Sequence, residues 1–209
     1  ASPAMLAAQI DAVFEDIRPQ AVKIGMVSSR ELIASIAERL EFWHAGNVVL
    51  DPVMIATSGA RLLADDAMET LTDRLFPLAT LVTPNIPEAE LLTHTLIHNP
   101  EDMEAAGERL SGHFGCAALI KGGHGTHDAN DVLVEPSGEV TWFPGARVDN
   151  PNTHGTGCTL SSAIAANLAK GKPMPKAIKS AKKYLTGALN AQLDLGHGSG
   201  PMDHGWKWR

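Results

Sequence analysis

Cysteine is scarce in this chain, and the features of exported and membrane proteins are missing. The 209 residues contain two cysteines, Cys116 and Cys158, whose unrelated contexts give no sign of a disulfide framework. No stretch approaches the roughly 18 consecutive apolar residues of a membrane span. The opening ASPAMLAAQIDAVFEDIR carries acidic residues and lacks the basic-then-apolar pattern of an export signal. We therefore expect a cytoplasmic protein with no membrane partner.

The chain also lacks an excess of basic charge and the common sequence motifs of nucleotide and metal sites. The net charge is −7 and no basic stripe stands out, so a nucleic-acid partner is not expected. The absence of GxxxxGK[ST] excludes a P-loop NTPase. The glycine clusters GGHG and GHGSG do not fit the strand–GxGxxG–helix pattern of dinucleotide-binding proteins. The nine histidines include neither HExxH nor a Cys/His metal spacing.

What the chain does contain is an alternation of short apolar runs and amphipathic stretches. At 209 residues and 44% hydrophobic composition, it is predicted to form a single domain over 1–209. Serine and glycine at 137–138, between DVLVEP and EVTWFPG, predict a hairpin. Strands are predicted at 21–26, 47–53, 80–85 and 116–123, and helices near 2–17, 29–42, 65–75, 87–93, 99–113, 155–170 and 175–194.

The order of these elements predicts the fold class. Strands that alternate with helices and read as continuous apolar runs are typical of a mainly parallel sheet with helices on both faces. We therefore predict an α/β protein with three α-β-α layers. In open parallel sheets, ligands bind beyond the carboxyl ends of the strands.

Polar side chains gather at those predicted strand ends. Carboxylate oxygens suit Mg²⁺, directly or through water, which makes Asp51 and Glu88 candidate metal ligands. An ammonium group suits phosphate oxygens, which makes Lys121 a candidate phosphate contact. The complete rim set is Gly25-Met26, Asp51-Pro52-Val53, Asn85 with Glu88, and Lys121-Gly122-Gly123.

The stretch NTHGTGCTL at 152–160 predicts an anion site where a helix begins. Gly155 and Gly157 allow close approach of backbone, and the new helix offers unpaired N–H groups and a dipole that favour negative charge. Cys158 lies in the first turn, where it would accept a proton from a substrate hydroxyl or hold that hydroxyl in position. Nucleophilic thiol chemistry is the rival interpretation, although no histidine partner across a cleft is evident. Cys116 is interpreted as inert packing.

Each rim residue also has a purely structural interpretation. Asp51 before proline suits a turn, and Glu88 suits the first turn of a helix. Lys121 would be a solvated strand-end lysine, and Met26 a core residue. Together, charge neutralisation, anion-binding amides and a hydroxyl-orienting group are the parts that phosphoryl transfer requires.

Five blocks in order, KIGM, VVLDPVM, VTPNIPEAE, LIKGGH and NTHGTGCTLSSAIAA, resemble the hydroxymethylpyrimidine/phosphomethylpyrimidine kinases of thiamine biosynthesis. These kinases belong to the ribokinase-like superfamily, and the similarity covers nearly the whole chain. Cysteine after the GTG turn is similar to these kinases and to some pyridoxal kinases, whereas many ribokinase-like sugar kinases carry aspartate there. The resemblance implies ATP and Mg²⁺ as cofactors, a pyrimidine alcohol or its phosphate as substrate, and a homodimer.

The resemblance also implies roles for individual residues. Cys158 would be the base or hydroxyl-positioning residue, and the turn before it would form the anion hole. Asp51 and Glu88 would organise Mg²⁺ through water. The remaining assignments are Gly155, Thr156 and Gly157 for the anion hole, Asn85 and Lys121 for the ATP phosphates, Met26 and Val53 for the pyrimidine, and Thr153 and His154 for the nucleotide side. His124, His127 and His154 are expected to border the site.

One departure from the family pattern concerns the N-terminus. In the family, a strand, a glycine-rich turn and a second strand with a substrate-facing polar side chain precede the helix that opens this sequence. The resemblance therefore implies a ribokinase-like domain that is N-terminally incomplete. Pyridoxal kinase activity and a non-catalytic pyrimidine-binding fragment are the alternative functions.

Overall fold

Strands and helices alternate along most of the chain, as the apolar pattern predicts. The computed structural model describes residues 1–55, 62–123, 129–193, 195, 197 and 200–208. The strands are β1 (Val22–Ile24), β2 (Val48–Leu50), β3 (Leu81–Val82), β4 (Ala117–Lys121), β5 (Asp131–Val134) and β6 (Val140–Phe143). The α-helices are α1 (Pro3–Asp16), α2 (Arg30–Phe42), α3 (Asp65–Thr70), α4 (Ile86–Thr93), α5 (Pro100–Phe114), α6 (Thr156–Ala169) and α7 (Met174–Asn190).

Strands β2 and β3 are shorter than the apolar runs that predicted them. Each run continues into a proline, Pro52 or Pro84, which has no N–H to donate to a ladder. Past each strand, the amide of one further residue donates to the neighbouring strand: the Asp51 amide to the Ile24 carbonyl and the Thr83 amide to the Leu50 carbonyl. The Pro84 carbonyl still accepts from the Lys121 amide. The residues beyond these points form the loops of the rim.

The described strands form one six-stranded sheet in the order β1-β2-β3-β4-β5-β6. Neighbours from β1 to β4 pair in parallel, whereas β4–β5 and β5–β6 pair antiparallel. The mainly parallel sheet and the hairpin over residues 131–143 are thus confirmed. Because β2, β3 and β4 run in the same direction, their carboxyl ends meet at one edge, which we call the carboxyl rim.

Alternate side chains of each strand enter two separate cores. Val49, Leu81 and Leu119 pack against α6 and α7. The neighbouring Leu50, Val82 and Ile120 pack into a larger cluster that includes α1, α2 and α5. This period of two is the ordinary geometry of a strand, and it produces the predicted three layers. Among the described residues, no helix is long and apolar enough to cross a membrane.

Candidate active site

A buried ion pair lies at the carboxyl rim. Asp51 follows β2 directly and is 2% exposed. Its Oδ1 accepts hydrogen bonds from the Lys121 ammonium at 2.8 Å and from the Thr83 hydroxyl at 3.1 Å. The interpretation of Lys121 as a solvated lysine is wrong, since its side chain is 13% exposed. The Asp51 carboxylate likewise does not serve a turn, because its bonds reach β3 and β4.

The first turn of α6 lies directly against this ion pair. A Cβ placed on Gly157 would lie 3.4 Å from the Lys121 Nζ and 3.5 Å from the Asp51 Oδ2. Gly155 caps the helix with φ of 82°, a left-handed conformation that favours glycine. Serine or asparagine side chains cap α1, α2, α4 and α5, whereas no side chain in the described part of the chain caps α3, α6 or α7. The helix dipole and the first-turn amides of α6 therefore lie beside the Lys121 ammonium, as an anion site requires.

The segment leading into that turn is held by two buried asparagines. The Asn150 amide group donates to the Leu189 carbonyl at 2.7 Å, and the Asn152 amide group donates to the Leu193 carbonyl at 3.1 Å. Both carbonyls lie at the end of α7 or just beyond it. Thr153, His154 and Cys158 are exposed beside the turn, whereas Thr156 is half-buried.

Glu88 has the structural role in the first turn of a helix that was one of its two interpretations. Its Oε2 accepts from the Asn85 amide at 2.9 Å while the Asn85 Oδ1 accepts from the Glu88 amide at 2.9 Å, which is a capping box at the start of α4. Its Oε1 accepts from the Met54 amide at 3.4 Å. Burial raises the pKa of Glu88 to about 7, against the lowering effects of Lys121 and the backbone hydrogen bonds.

The oxygen donors of the rim fit Mg²⁺ held through water. Asp51 and Glu88 are close enough for the Asp51 charge to contribute to the raised pKa of Glu88. Both carboxylates already accept hydrogen bonds, so a bound ion would keep water molecules between itself and the protein, as Mg²⁺ commonly does. The described residues contain no cluster of three or more Cys, His, Asp or Glu side chains suited to a metal.

The predicted pyrimidine contacts also lie at the rim. Met26 follows β1 and is 54% exposed, so its interpretation as a core residue is wrong. Val53 is half-buried two residues after Asp51. His124 and His127 lie outside the described residues.

The two cysteines occupy opposite environments. Cys116 is buried just before β4, and desolvation raises the pKa of its thiol to about 11, which fits inert packing. Cys158 is exposed in the first turn of α6, one residue after Gly157. Both thiols are free.

Sequence reasoning missed four polar residues near the rim. Ser161 is fully buried, and its Oγ lies 3.4 Å from the Asp51 Oδ2 and 2.9 Å from the Gly157 carbonyl oxygen. Thr83 and Ser161 could have been found from the sequence, since each places a hydroxyl group within an apolar run. Asp131 had a weaker signal as the charged first residue of β5. Lys182 could have been found from helical spacing, which places it on the same face of α7 as Ile178 and Leu185.

Known proteins share this architecture. A hydroxymethylpyrimidine/phosphomethylpyrimidine kinase from Streptomyces coelicolor is 47% identical over 199 residues, which cover 95% of this chain and 73% of the relative. The crystal structure of a phosphomethylpyrimidine kinase from Clostridium difficile is 43% identical with a TM-score of 0.79, covering 89% of this chain and 76% of that one. A Bacillus subtilis pyridoxal kinase, solved as an ADP complex, is 32% identical with a TM-score of 0.85, covering 96% of this chain and 75% of that one.

These likenesses confirm the ribokinase-like fold class. The chain spans about three quarters of the length of each of the three proteins. The family model described as phosphomethylpyrimidine kinase matches residues 1–203. Because that match covers nearly all of the sequence, the chain belongs to the phosphomethylpyrimidine kinase family.

Proposed function

We propose that this chain carries out ATP-dependent phosphorylation of 4-amino-5-hydroxymethyl-2-methylpyrimidine and then of its monophosphate, in thiamine biosynthesis. The observation that carries the proposal is the contact between the Asp51–Lys121 ion pair and Gly157 in the first turn of α6. A cation and helix amides on one side of a rim, with an exposed thiol next to them, suit the transfer of a phosphoryl group to an alcohol.

The residues of the rim would have different roles in the phosphoryl transfer. The Lys121 ammonium would neutralise phosphate oxygens, with Asn85 next to it in the bridge between the two strand ends. The amides of Gly155, Thr156 and Gly157 would receive the transferring group, for which the Thr156 amide would give up its 3.3 Å bond to the Thr153 carbonyl. Cys158 would accept the proton of the substrate hydroxyl or align that hydroxyl for attack.

The remaining assignments concern the substrates and the metal. Met26 and Val53 would contact the pyrimidine ring from the opposite end of the rim, and Thr153 and His154 would lie on the nucleotide side. Asp51 and Glu88 would hold Mg²⁺ through water. The ion would supply charge neutralisation for the ATP phosphates.

Pyridoxal kinase is the second candidate function. The pyridoxal kinase of Bacillus subtilis has the higher TM-score, 0.85 against 0.79, although its identity to this chain is lower, 32% against 43%. Both substrates are flat heteroaromatic alcohols, so the rim chemistry serves either. The higher identity to a phosphomethylpyrimidine kinase and the family match favour the pyrimidine.

Steady-state release of ADP in excess Mg-ATP separates these functions. The assay compares hydroxymethylpyrimidine, its monophosphate and pyridoxal as substrates of this chain. We expect kcat/KM for the pyrimidine to exceed that for pyridoxal by about 10-fold or more, the scale of one good pocket contact. A preference for pyridoxal would overturn the substrate assignment. Binding of the pyrimidine without ADP release would indicate a non-catalytic module.

We further propose a homodimer in the cytoplasm. Two free cysteines, one of them exposed, suit a reducing compartment. Exposed apolar side chains on α1 and directly after it, Met5 and Ile17, suit contact with further protein.

A further inference from the structure

A second buried ion pair lies next to the rim and is not used by the proposed mechanism. The Lys182 ammonium of α7 contacts the Asp131 Oδ2 of β5 at 2.5 Å, and the two side chains are 14% and 7% exposed. Burial raises the pKa of Asp131, against the lowering effects of Lys182, the Gly122 amide and Lys121. A buried pair of this kind contributes little net stability compared with apolar residues of the same size, so its presence suggests another role.

Each partner of this pair also binds a backbone group next to β4 or β5. The Asp131 Oδ1 accepts from the Gly122 amide at 3.0 Å, directly after Lys121. The Lys182 ammonium donates to the Ala129 carbonyl at 2.8 Å, two residues before Asp131. The pair therefore ties the end of β4 and the approach to β5 to helix α7.

The backbone around the pair is packed too closely to adjust freely. A Cβ on Gly122 would lie 2.0 Å from the Asn130 carbonyl oxygen, and a Cβ on Gly145 would lie 2.6 Å from the Ala129 carbonyl oxygen. Lys121 and Asp131 are also directly opposite each other in the antiparallel pairing of β4 and β5. A shift of the Gly122 amide would therefore move the backbone that carries Lys121.

The charges of the two ion pairs alternate along the rim. Asp51 follows β2, Lys121 ends β4, Asp131 begins β5, and Lys182 reaches them from α7. Lys121 thus has a carboxylate on either side, in contact with Asp51 and under the electrostatic influence of Asp131.

We propose that Asp131 and Lys182 are positioning residues for the nucleotide half of the reaction, acting through the Gly122 amide on Lys121. This inference rests on the proposed kinase function. It assigns the pair to the phosphate side of the site, because its bonds reach the backbone of Lys121 and Gly122. The pyrimidine contacts at Met26 and Val53 lie on the β1 and β2 side of the sheet, away from the pair.

Two charge-neutral double variants test the hydrogen bond to Gly122. D131N/K182M keeps an oxygen that can accept from the Gly122 amide, whereas D131L/K182M does not. K183M is the matched control, because Lys183 is the exposed neighbour of Lys182 in α7. The readouts are the Kd of Mg-ADP by calorimetry, the KM values for ATP and for hydroxymethylpyrimidine, and the thermal unfolding midpoint.

We expect D131L/K182M to bind Mg-ADP about 10-fold more weakly and to raise the KM for ATP equally, the scale of one lost interaction in the site. The Kd of Mg-ADP and the KM for ATP of D131N/K182M should stay within about 3-fold of the parent values. The KM for the pyrimidine should change less than about 2-fold in both variants, since neither substitution touches the β1–β2 end of the rim. If leucine prevents folding, D131V/K182M makes the same deletion with a residue suited to a strand.

Parental Mg-ADP affinity in a folded leucine or valine variant would overturn the positioning role while leaving the kinase function intact. Equal increases in both KM values would overturn its assignment to the nucleotide side. A parent protein that does not bind Mg-ADP would overturn the kinase function and this inference together.

Discussion

Cys158 and Cys116 form a natural pair of test positions, because one thiol is exposed at the α6 turn and the other is buried before β4. We expect Cys158→Ala to lower kcat by about 10²-fold, the range typical of a lost general base. Cys116→Ala should leave kcat nearly unchanged and cost about 1 kcal/mol of unfolding free energy through the small cavity that it creates. Rapid-quench and steady-state assays with the pyrimidine measure the first effect, and denaturant unfolding measures the second. Near-normal turnover in Cys158→Ala would contradict the proton-handling role.

A substitution at Gly157 is expected to affect turnover without lowering stability. An added methyl group would make ordinary contacts at 3.4 Å and 3.5 Å with Lys121 and Asp51, and alanine suits a helix better than glycine. We expect Gly157→Ala to fold with at least parental stability. Its turnover should fall by about 10²-fold or more, because the methyl group occupies the space beside the ion pair and misplaces the phosphoryl group.

Gly112→Ala is the matched control for that experiment. Gly112 lies in α5, and a Cβ there would meet nothing within 4 Å. The control should gain about 0.5–1 kcal/mol of unfolding free energy and keep parental turnover. Full activity in Gly157→Ala would show that the transferring group does not lie against this turn.

Glu88 makes the stability of the chain depend on pH. Its pKa is about 7 when folded and 4.5 in the ordinary reference state, so the folded chain binds the proton more tightly. Its contribution to stability is therefore complete below pH 4.5 and is lost as the pH rises through 7. The two pKa values correspond to about 3 kcal/mol of unfolding free energy.

Glu88→Gln should abolish this dependence, since glutamine does not titrate. Denaturant unfolding of the parent and the variant at pH 5 and pH 8 measures it, with Glu69→Gln on the exposed surface of α3 as the control. We expect the parent to lose stability relative to Glu88→Gln between the two pH values. A constant difference between parent and variant would mean that burial does not hold the proton on Glu88.

The C-terminal segment 200–208 contacts helix α7 and the segment before α6. The Gly200 amide donates to the Asn152 Oδ1 at 2.5 Å, and the Asp203 amide donates to the Ala188 carbonyl at 3.3 Å. Trp206 packs so closely on α7 that a Cβ on Gly187 would lie 2.1 Å from its ring. The tail is therefore held to the helix that carries Lys182.

Gly187→Ala tests this packing. Alanine would stabilise an isolated helix, but here it must displace the Trp206 ring. We expect a loss of about 1–3 kcal/mol of unfolding free energy, typical of overpacking, and faster amide exchange over residues 203–208. Gly112→Ala again serves as the control. Unchanged exchange in this segment would contradict the close packing of Trp206 on α7.

The assembly of the whole molecule is a separate prediction. The homodimer follows from the resemblance to the kinase family. The exposed Met5 of α1 and Ile17, directly after α1, are compatible with a buried contact. Light scattering with size-exclusion chromatography should give twice the 22.2 kDa mass of one chain. Replacing both side chains with lysine should leave turnover intact in a monomer if α1 forms the interface. A monomeric parent protein would refute the dimer.

Much of the fold and part of the site were predictable from local sequence. The continuous apolar runs of β2, β3 and β4 indicated strands buried on both faces, and Ser2, Ser29 and Asn99 indicated where helices begin. The GTG turn indicated where α6 begins. These signals are readable because apolar runs, helix capping and turn conformation depend on residues within a few positions of one another.

The partners of the charged residues were decided only by tertiary structure. Lys121 and Asp51 are 70 positions apart, and Lys182 and Asp131 are 51 positions apart. Helical spacing places Lys182 on the apolar face of α7 with Ile178 and Leu185, but it does not identify Asp131 as its partner. The second role of Glu88, its bond to the Met54 amide, likewise needs β2 and α4 to be adjacent. The burial of the two ion pairs and the raised pKa of Glu88 arise from the packing of segments that are distant in sequence. The free energy of a buried charge depends on the groups that surround it in three dimensions.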